Sequence, residues 1–448
     1  MSKTVVDANE SGQNRCGSGP AAKHYRFETL ALHAGQTPDA TLSRGVPVYR
    51  TSSFIFKNTE HAANLFAFKE PGNIYTRIMN PTTDVLEQRV TQLEGGVASV
   101  ALASGTAAVF YAVITLARAG DEIIAANNLY GGTYTQFDAI LPALGITVKF
   151  VDPHVLKAIE RAVTDKTRAV YIETIGNPGL DVTDIRAVAD LAHRHGLPLI
   201  VDGTFTTPYL LRTIEYGADI VVNSLTKWLG GHGVAIGGVV TEAGGFDWKA
   251  GRHPVFTEPD DNYHGLRWAY DLPESLASTV FALRLRSVPL RNLGACLSPD
   301  NAWLFLQGLE TLPMRMARHS ENALKIARHL ARHPKISWVR YPGLEGDPSH
   351  VTAERYLKNG FGGMVVFGLR GGYEAAAKLI DTITLFSHLA NVGDAKSLIL
   401  HPASTTHAQL SEDQQRAGGV TPEMVRMSVG LEHPDDLSEA LDQALAGV

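Results

Sequence analysis

Between about residue 81 and residue 245 the sequence alternates short, β-branched apolar runs with amphipathic helical stretches. No other feature constrains the fold as much. The runs are Asp121–Ala126, Ile146–Val151, Ala169–Glu173, Leu199–Asp202, Asp219–Asn223 and Val234–Thr241. Between them lie stretches such as Asp184–His195, where Ile185, Val188, Ala189 and Ala192 recur on one helical face and Gly196 supplies a stop. Strands buried on both faces and separated by helices assemble into a mainly parallel sheet, so the expected class is α/β. In open sheets of that kind ligands bind beyond the carboxyl ends of the strands. That rim is where candidate residues are sought.

The flanking sequence differs in texture. Residues 1–23 are polar and rich in Gly, Ser and Asn, without the basic start and apolar centre of a signal peptide, and read as a flexible tail. Residues 24–80 hold few periodic segments but many aromatics, including Phe54, Phe56, Phe66, Phe68 and Tyr75. This arm is expected to pack on another surface, a partner subunit being one candidate. Residues 81–300 are expected to form a large domain with a less regular, aromatic-rich insertion or lid at about 243–300. Residues 301–448 are expected to form a smaller α+β domain. Its helical patterns are Glu321–His333, Tyr373–Ile383 and Asp435–Ala446, and its apolar runs are Ile336–Tyr341, Met364–Leu369, Ser397–His401 and Met424–Val429.

Composition removes several function classes. Across 448 residues, 40 Lys and Arg face 46 Asp and Glu for a net charge of −6, with no concentration of basic residues, which argues against a nucleic-acid partner. No apolar run approaches the ~18 residues that suggest a membrane span. Cys16 and Cys296 make neither a disulfide framework nor the spacing of a structural zinc site. The expectation is a soluble, cytoplasmic protein of enzyme size.

Three places carry residues suited to chemistry. Lys227 follows the run Asp219–Asn223, beside Leu225 and Trp228. A lysine desolvated there has a depressed pKa and a nucleophilic amine, although a lone lysine is more often a solvated surface residue. Asp202 ends the run Leu199–Asp202, one helix and one strand earlier. A lysine that forms a Schiff base plus an acid that pairs with a pyridinium nitrogen is the pair a pyridoxal 5'-phosphate (PLP) site requires, whereas an Asp at a strand end also serves as a turn or helix cap. The second place is Ala103–Ala108, where Ser104, Gly105 and Thr106 open a helical stretch. Free N–H groups of a first turn attract phosphate, and Ser104 equally reads as an ordinary N-cap. Ser224 and Thr226 add hydroxyl donors, Tyr75 and Arg77 stand in the arm where Arg clamps phosphate, and Tyr130 follows a strand with a ring able to stack. The third is Arg426, on the opposite face of its strand from Val425, Met427 and Val429. A guanidinium there needs an anion, supplied by a substrate carboxylate or by a structural salt bridge.

Other motifs fail. Gly231–Gly237 has one residue too many for a dinucleotide fingerprint, and neither a P-loop nor a nucleophile elbow is present. His329 and His333 have the i, i+4 spacing of zinc ligands, but Arg328 and Arg332 repel a dication there, so no metal is expected.

With these residues in view, Ser224-Leu-Thr-Lys227, Asp202-Gly-Thr-Phe205, Ser104-Gly-Thr-Ala-Ala108, Tyr75-Thr-Arg77 and Tyr130-Gly-Gly-Thr-Tyr134 resemble motifs of the Cys/Met metabolism family of PLP-dependent enzymes. The stretches Ser397–Ser404 and Arg426–Glu432 look like its C-terminal signatures, and the likeness runs over roughly 25–448. The resemblance implies the PLP-dependent transferase fold type I, with a mainly parallel central sheet flanked by helices and a smaller C-terminal α+β domain. It also implies a homotetramer, a dimer of dimers with shared active sites. By the same resemblance Lys227 holds the cofactor and Asp202 its pyridine nitrogen. Tyr130 stacks on the ring and acts with Lys227 as a catalytic residue, and Asn177 lies on the ring hydroxyl side. Ser104, Gly105, Thr106, Ser224 and Thr226 bind phosphate, with Tyr75 and Arg77 arriving from the neighbouring subunit. Arg426, assisted near Ser397, binds the substrate carboxylate. The segments Leu30–Gln36 and Phe256–Gly265 look most like those of members that act on O-acetyl-L-homoserine, implying γ-replacement by sulfide to give L-homocysteine and acetate. O-succinylhomoserine sulfhydrylase, cystathionine γ-synthase and methionine γ-lyase are the alternatives. Gly132 departs from the Cys that many of those lyases carry after Tyr-Gly.

Overall fold

The apolar runs become a seven-stranded sheet. In the computed structural model, which describes residues 25–250, 252–406, 408, 415 and 419–448, the strands are β1 (Ala98–Leu102), β2 (Glu122–Ala126), β3 (Thr147–Val151), β4 (Thr167–Glu173), β5 (Leu199–Asp202), β6 (Ile220–Ser224) and β7 (Gly238–Glu242). Their spatial order is β1-β7-β6-β5-β4-β2-β3. The pairs from β3 through β6 are all parallel, and β7 alone runs against both its neighbours. Helices pack on the sheet through the faces that sequence periodicity marks. In Ile185–Arg194 the side chains of Ile185, Val188, Ala189 and Ala192 are all buried, and full burial contributes about 1.5–3 kcal/mol for each large aliphatic one. Asp184 caps that helix by accepting from the Ala187 amide, and Gly196 follows at φ +64°, a left-handed value that favours glycine.

Three segments differ from the expected pattern, each for a physical reason. β1 has no counterpart among the expected runs, because Ala98–Leu102 consists largely of small residues with weak strand preference. Its five paired positions against β7, from Ala98↔Glu242 to Leu102↔Gly238, make it a strand. The run Val234–Thr241 becomes strand only at Gly238, and Val234 and Ile236 are exposed. The segment expected as an insertion or lid at about 243–300 contributes aromatics to the core. Trp248, Phe256, Trp268 and Phe281 are buried in the main core, with Trp248 stacked on Phe281 at a centroid separation of 5.8 Å.

A second, five-stranded sheet follows, in the order β10-β11-β12-β9-β8. It comprises β8 (Ile336–Arg340), β9 (Met364–Leu369), β10 (Ser387–His388), β11 (Leu398–Leu400) and β12 (Met424–Ser428), and it has its own apolar cluster around Val365, Phe367, Val425 and Met427. The 21-residue helix Leu312–Arg332 leads into it. This helix starts well ahead of the expected Glu321, because Pro313 stands in the first turn, where a missing N–H has no intrahelical role. The arm carries two short helices, Phe27–His33 and Thr59–Phe66, and a single bridge between Ser53 and Tyr75. Ile55 there is fully exposed and Phe66 more than half exposed. The expected tail, residues 1–23, lies outside the described residues.

Candidate functional site

Parallel pairing brings the carboxyl ends of β4, β5 and β6 to one rim, and a cavity of about 250 Å³ opens there. Glu173 and Asp202 are direct register partners at the ends of β4 and β5. Ser224 ends β6 and leads into the turn Leu225–Leu229, which carries Lys227. Ser104, Gly105, Thr106, Tyr130, Asn177, Asp202, Ser224, Thr226, Lys227 and Arg426 all line this one cavity, so ten of the sequence-derived positions, far apart in the chain, converge. A larger surface hollow beside His329 and Asp442 gathers no such set, and His329 is hydrogen-bonded to Asp442 at 2.7 Å.

The electrostatics of the cavity follow from burial. Lys227 Nζ donates to Asn391 Oδ1 at 2.5 Å. Removal from water, with a smaller contribution from Arg426 nearby, pushes its pKa down to about 8 from the ordinary 10.5. Arg426 is only 6% exposed and donates from Nη1 to Asn177 Oδ1 at 3.0 Å. No carboxylate pairs with either cation among the described residues, which sets aside the structural salt bridge as the reason for Arg426. Asp202 accepts from the Thr204 amide at 2.9 Å and from the Tyr171 hydroxyl at 3.3 Å, and burial raises its pKa. It too has no ion-pair partner among the described residues.

On the opposite wall, the Ser104 hydroxyl caps the helix Gly105–Leu116 by accepting from the Ala107 amide at 3.0 Å, so its side chain acts as an N-cap. A Cβ at Gly105 would stand 2.7 Å from Ser224 Cβ, so only glycine lets the helix start lie against the end of β6. Thr226 Oγ1 donates to the Gly237 carbonyl and accepts from the Gly237 amide, which ties the Lys227 turn to the start of β7. The first turn of the helix Gly105–Leu116 lies at the cavity with Thr106, Ser224 and Thr226, and helix starts of this kind attract anions. The cavity lining therefore combines a carboxylate, two recessed cations and the start of a helix flanked by hydroxyls. This donor set fits PLP: a protonated ring nitrogen, an aldehyde reactive toward a neutral amine, and a phosphate.

Three expected residues lie elsewhere. Tyr75 and Arg77 do not line the cavity of their own chain; the Arg77 guanidinium lies 5.0 Å from the centre of the Tyr75 ring. Ser397 does not line the cavity either. It is fully buried, its hydroxyl donates to Glu432 Oε2 at 2.9 Å and accepts from the Gly430 amide at 2.8 Å, and it is not exposed to the cavity. Asn391 occupies the cavity wall instead. Its loop, Ala390–Gly393, has no periodicity to mark it. Glu173 was also missed as a site residue, although it ends an expected run. It accepts from the Tyr130 amide at 2.7 Å, and burial and then Asp202 hold its pKa far above the usual carboxylate range. Gly132 gains a reason as well: a Cβ there would lie 2.6 Å from Tyr130 Cε1, so any side chain at that place must move the Tyr130 ring.

Comparison with known proteins agrees with this geometry. The model of the Cys/Met metabolism PLP-dependent enzyme family matches residues 28–446. The chain is 52% identical to an O-acetyl-L-homoserine sulfhydrylase of Leptospira meyeri, over 95% of this chain and 98% of that one. It is 53% identical to O-acetyl-L-homoserine sulfhydrylase 1 of Thermus thermophilus, over 94% and 100%. A solved structure from Campylobacter jejuni, provisionally assigned as an O-acetylhomoserine (thiol)-lyase and containing N'-pyridoxyl-lysine-5'-monophosphate, superposes with a TM-score of 0.91 at 41% identity over 94% of this chain and all of that one. The fold is that of the type I PLP-dependent enzymes.

The depressed pKa makes a test. In cofactor-free protein, labelling of Lys227 by an amine-reactive reagent, followed by mass spectrometry, is expected to rise with a midpoint near pH 8, because the amine is neutral above its pKa. A midpoint at the ordinary lysine value would contradict the recessed environment.

Proposed function

The chain belongs to the Cys/Met metabolism PLP-dependent enzymes, and on that premise we propose that it catalyses γ-replacement, converting O-acetyl-L-homoserine and sulfide to L-homocysteine and acetate. One observation carries the site assignment: Lys227, Arg426 and Asp202 share a cavity, each without an ion-pair partner among the described residues. Recessed charges that line one cavity in this way mark it as a binding site.

In this reading Lys227 is the residue to which PLP attaches, and Asp202 keeps the pyridine nitrogen protonated. Tyr130 covers the ring, with its backbone held by Glu173. Gly105, Thr106, Ser224 and Thr226 hold the phosphate, with Ser104 setting the helix start. Arg426, oriented by Asn177, binds the substrate carboxylate, with Asn391 beside it in the role expected near Ser397. When bound, PLP supplies an electron sink conjugated to the substrate amine. Lys227, with a pKa near 8, is partly neutral at physiological pH and takes the Cα proton as general base. In the same reading this amine also serves the Cβ proton. Across the whole reaction the Cγ–O bond breaks, acetate leaves with its electron pair, and hydrosulfide forms the Cγ–S bond, so charge and atoms balance. Arg426 fixes one end of the substrate, which keeps the Cα–H bond aligned through the reaction.

We place the active unit in the cytoplasm as a homotetramer built from dimers, with Tyr75 and Arg77 of the arm reaching the phosphate corner of a second copy. Support comes from their absence from the lining of their own chain's cavity and from the exposed Ile55 and Phe66 of the same arm. Among the described residues no helix is long and apolar enough to cross a membrane.

Supplying O-acetyl- or O-succinyl-homoserine with sulfide or cysteine, then identifying the products, tests the reaction. Homocysteine and acetate from the acetyl ester with sulfide are expected; 2-oxobutyrate and ammonia as main products would make the protein a lyase. For the arm, mixing Arg77→Ala with Lys227→Ala protein is expected to restore activity, because one site of each mixed pair then has both residues. Verified hybrids without activity would refute sharing.

A further inference from the structure

Arg315, on the helix Leu312–Arg332, is 5% exposed and forms no ion pair among the described residues. Every nitrogen of its guanidinium is nevertheless engaged. Nη1 donates to the Trp228 carbonyl at 2.7 Å, Nη2 to the Gly308 carbonyl at 2.6 Å and the Leu229 carbonyl at 3.3 Å, and Nε to Thr311 Oγ1 at 3.1 Å. All four acceptors are neutral. Three are carbonyls where helical segments end: Trp228 and Leu229 close the turn that carries Lys227, and Gly308 lies in the last turn of the helix Pro299–Glu310. The Gly308 carbonyl, which also accepts from the Thr311 amide at 3.3 Å, carries the negative end of the dipole of the helix Pro299–Glu310, and the Trp228 and Leu229 carbonyls add two further neutral acceptors around the guanidinium. Burial pushes its pKa down to about 10, which leaves it charged at neutral pH.

The corner has no slack. A Cβ at Gly231 would lie 2.0 Å from Arg315 Nη1, one at Gly308 would lie 2.3 Å from the Gly230 carbonyl oxygen, and one at Gly393 would lie 2.6 Å from the Trp228 amide. Lys227 itself departs from helical dihedrals, at φ −91° and ψ −136°, so a regular helical ladder does not set the path of its turn. Contacts from outside the turn do, and Arg315 supplies two of them at the residues immediately after the lysine. A point charge in its place cannot bridge both helix ends, whereas the planar fork can.

We infer that Arg315 is a positioning residue for Lys227: it clamps the turn Leu225–Leu229 to the helix Pro299–Glu310 and so fixes where the lysine amine stands in the cavity. The inference rests on the reading of Lys227 as the residue that moves the substrate proton. Its alternative is a purely architectural role, fastening the two units of the chain with no consequence for the amine.

The test uses the full-length, cofactor-loaded enzyme with Arg315→Met, Arg315→Lys and Thr311→Val. Three quantities are read: kcat and KM for the acyl-homoserine, the isotope effect on kcat with Cα-deuterated substrate, and amide hydrogen exchange over residues 225–231. For Arg315→Met, kcat is expected to fall about 10- to 100-fold with KM changed by no more than about two-fold. The isotope effect is expected to increase and exchange over 225–231 to accelerate, with Arg315→Lys in between. Loss of folded enzyme alone lowers kcat but leaves the isotope effect where it was. A kcat loss with unchanged isotope effect and unchanged exchange, or no change at all, overturns the inference. Should Arg315→Met not fold, Thr311→Val, which removes the Nε contact together with the Thr311 hydroxyl's bond to the Gly308 carbonyl, must shift both readouts in the same direction; no shift in either overturns it equally. Exchange needs no substrate, so it judges Arg315 even if the proposed reaction fails in the wild type.

Discussion

Unmatched charge at a sheet rim is the constraint on which the rest of this structure depends. Asp202, Lys227 and Arg426 are withdrawn from water without counter-ions among the described residues, and each carries a shifted pKa for that reason. A chain does not keep such groups for stability, because desolvating a charge without a partner opposes folding. The surrounding architecture holds them in place. Parallel pairing of β4, β5 and β6 sets Glu173, Asp202 and the Lys227 turn side by side, and Asn177 and Asn391 orient the two cations through neutral oxygens. Neutral partners steer a cation without neutralising it, so its charge remains available to a ligand.

The two units of the chain divide the labour. The large sheet supplies Asp202, Lys227 and the helix start at Gly105, whereas β12 of the smaller sheet supplies Arg426. In the proposed assignment the cofactor residues and the substrate anchor therefore sit on different cores, joined by the helix Leu312–Arg332 that carries Arg315. Contacts across this junction, such as Arg426 with Asn177 and Arg315 with the Lys227 turn, set the relative positions of acid, base and anchor. Glu173 contributes from within the large sheet. Burial and then Asp202 raise its pKa, and its Oε1 holds the Tyr130 backbone amide beside the end of β5.

Much of this was legible in the sequence, and the gaps have physical causes. Strands rich in Val and Ile announced themselves, and Asp202 and Lys227 were marked because each follows such a run. β1 was silent because Ala, Ser and Leu carry little strand preference and its pairing with β7 is remote in sequence. Glu173 was visible as the end of a run, but its partnership with Asp202 exists only through the β4–β5 register. The resemblance marked only the neighbourhood of Ser397; the Ser397 hydroxyl itself is taken up by Glu432 and Gly430, and the polar group facing the cavity, Asn391, sits in an aperiodic loop. Arg315 stood ahead of the expected helix start, and nothing local reveals that its partners are carbonyls at residues 228, 229 and 308.

The central claim is that Lys227 is the residue on which the cofactor is carried. It is tested most directly by reducing the purified, PLP-loaded protein with borohydride, digesting it and mapping the pyridoxyl group by mass spectrometry. The account predicts a single modified lysine, Lys227, in the peptide containing Ser224 and Trp228. A pyridoxyl group on a different lysine, with Lys227 unmodified, would contradict it.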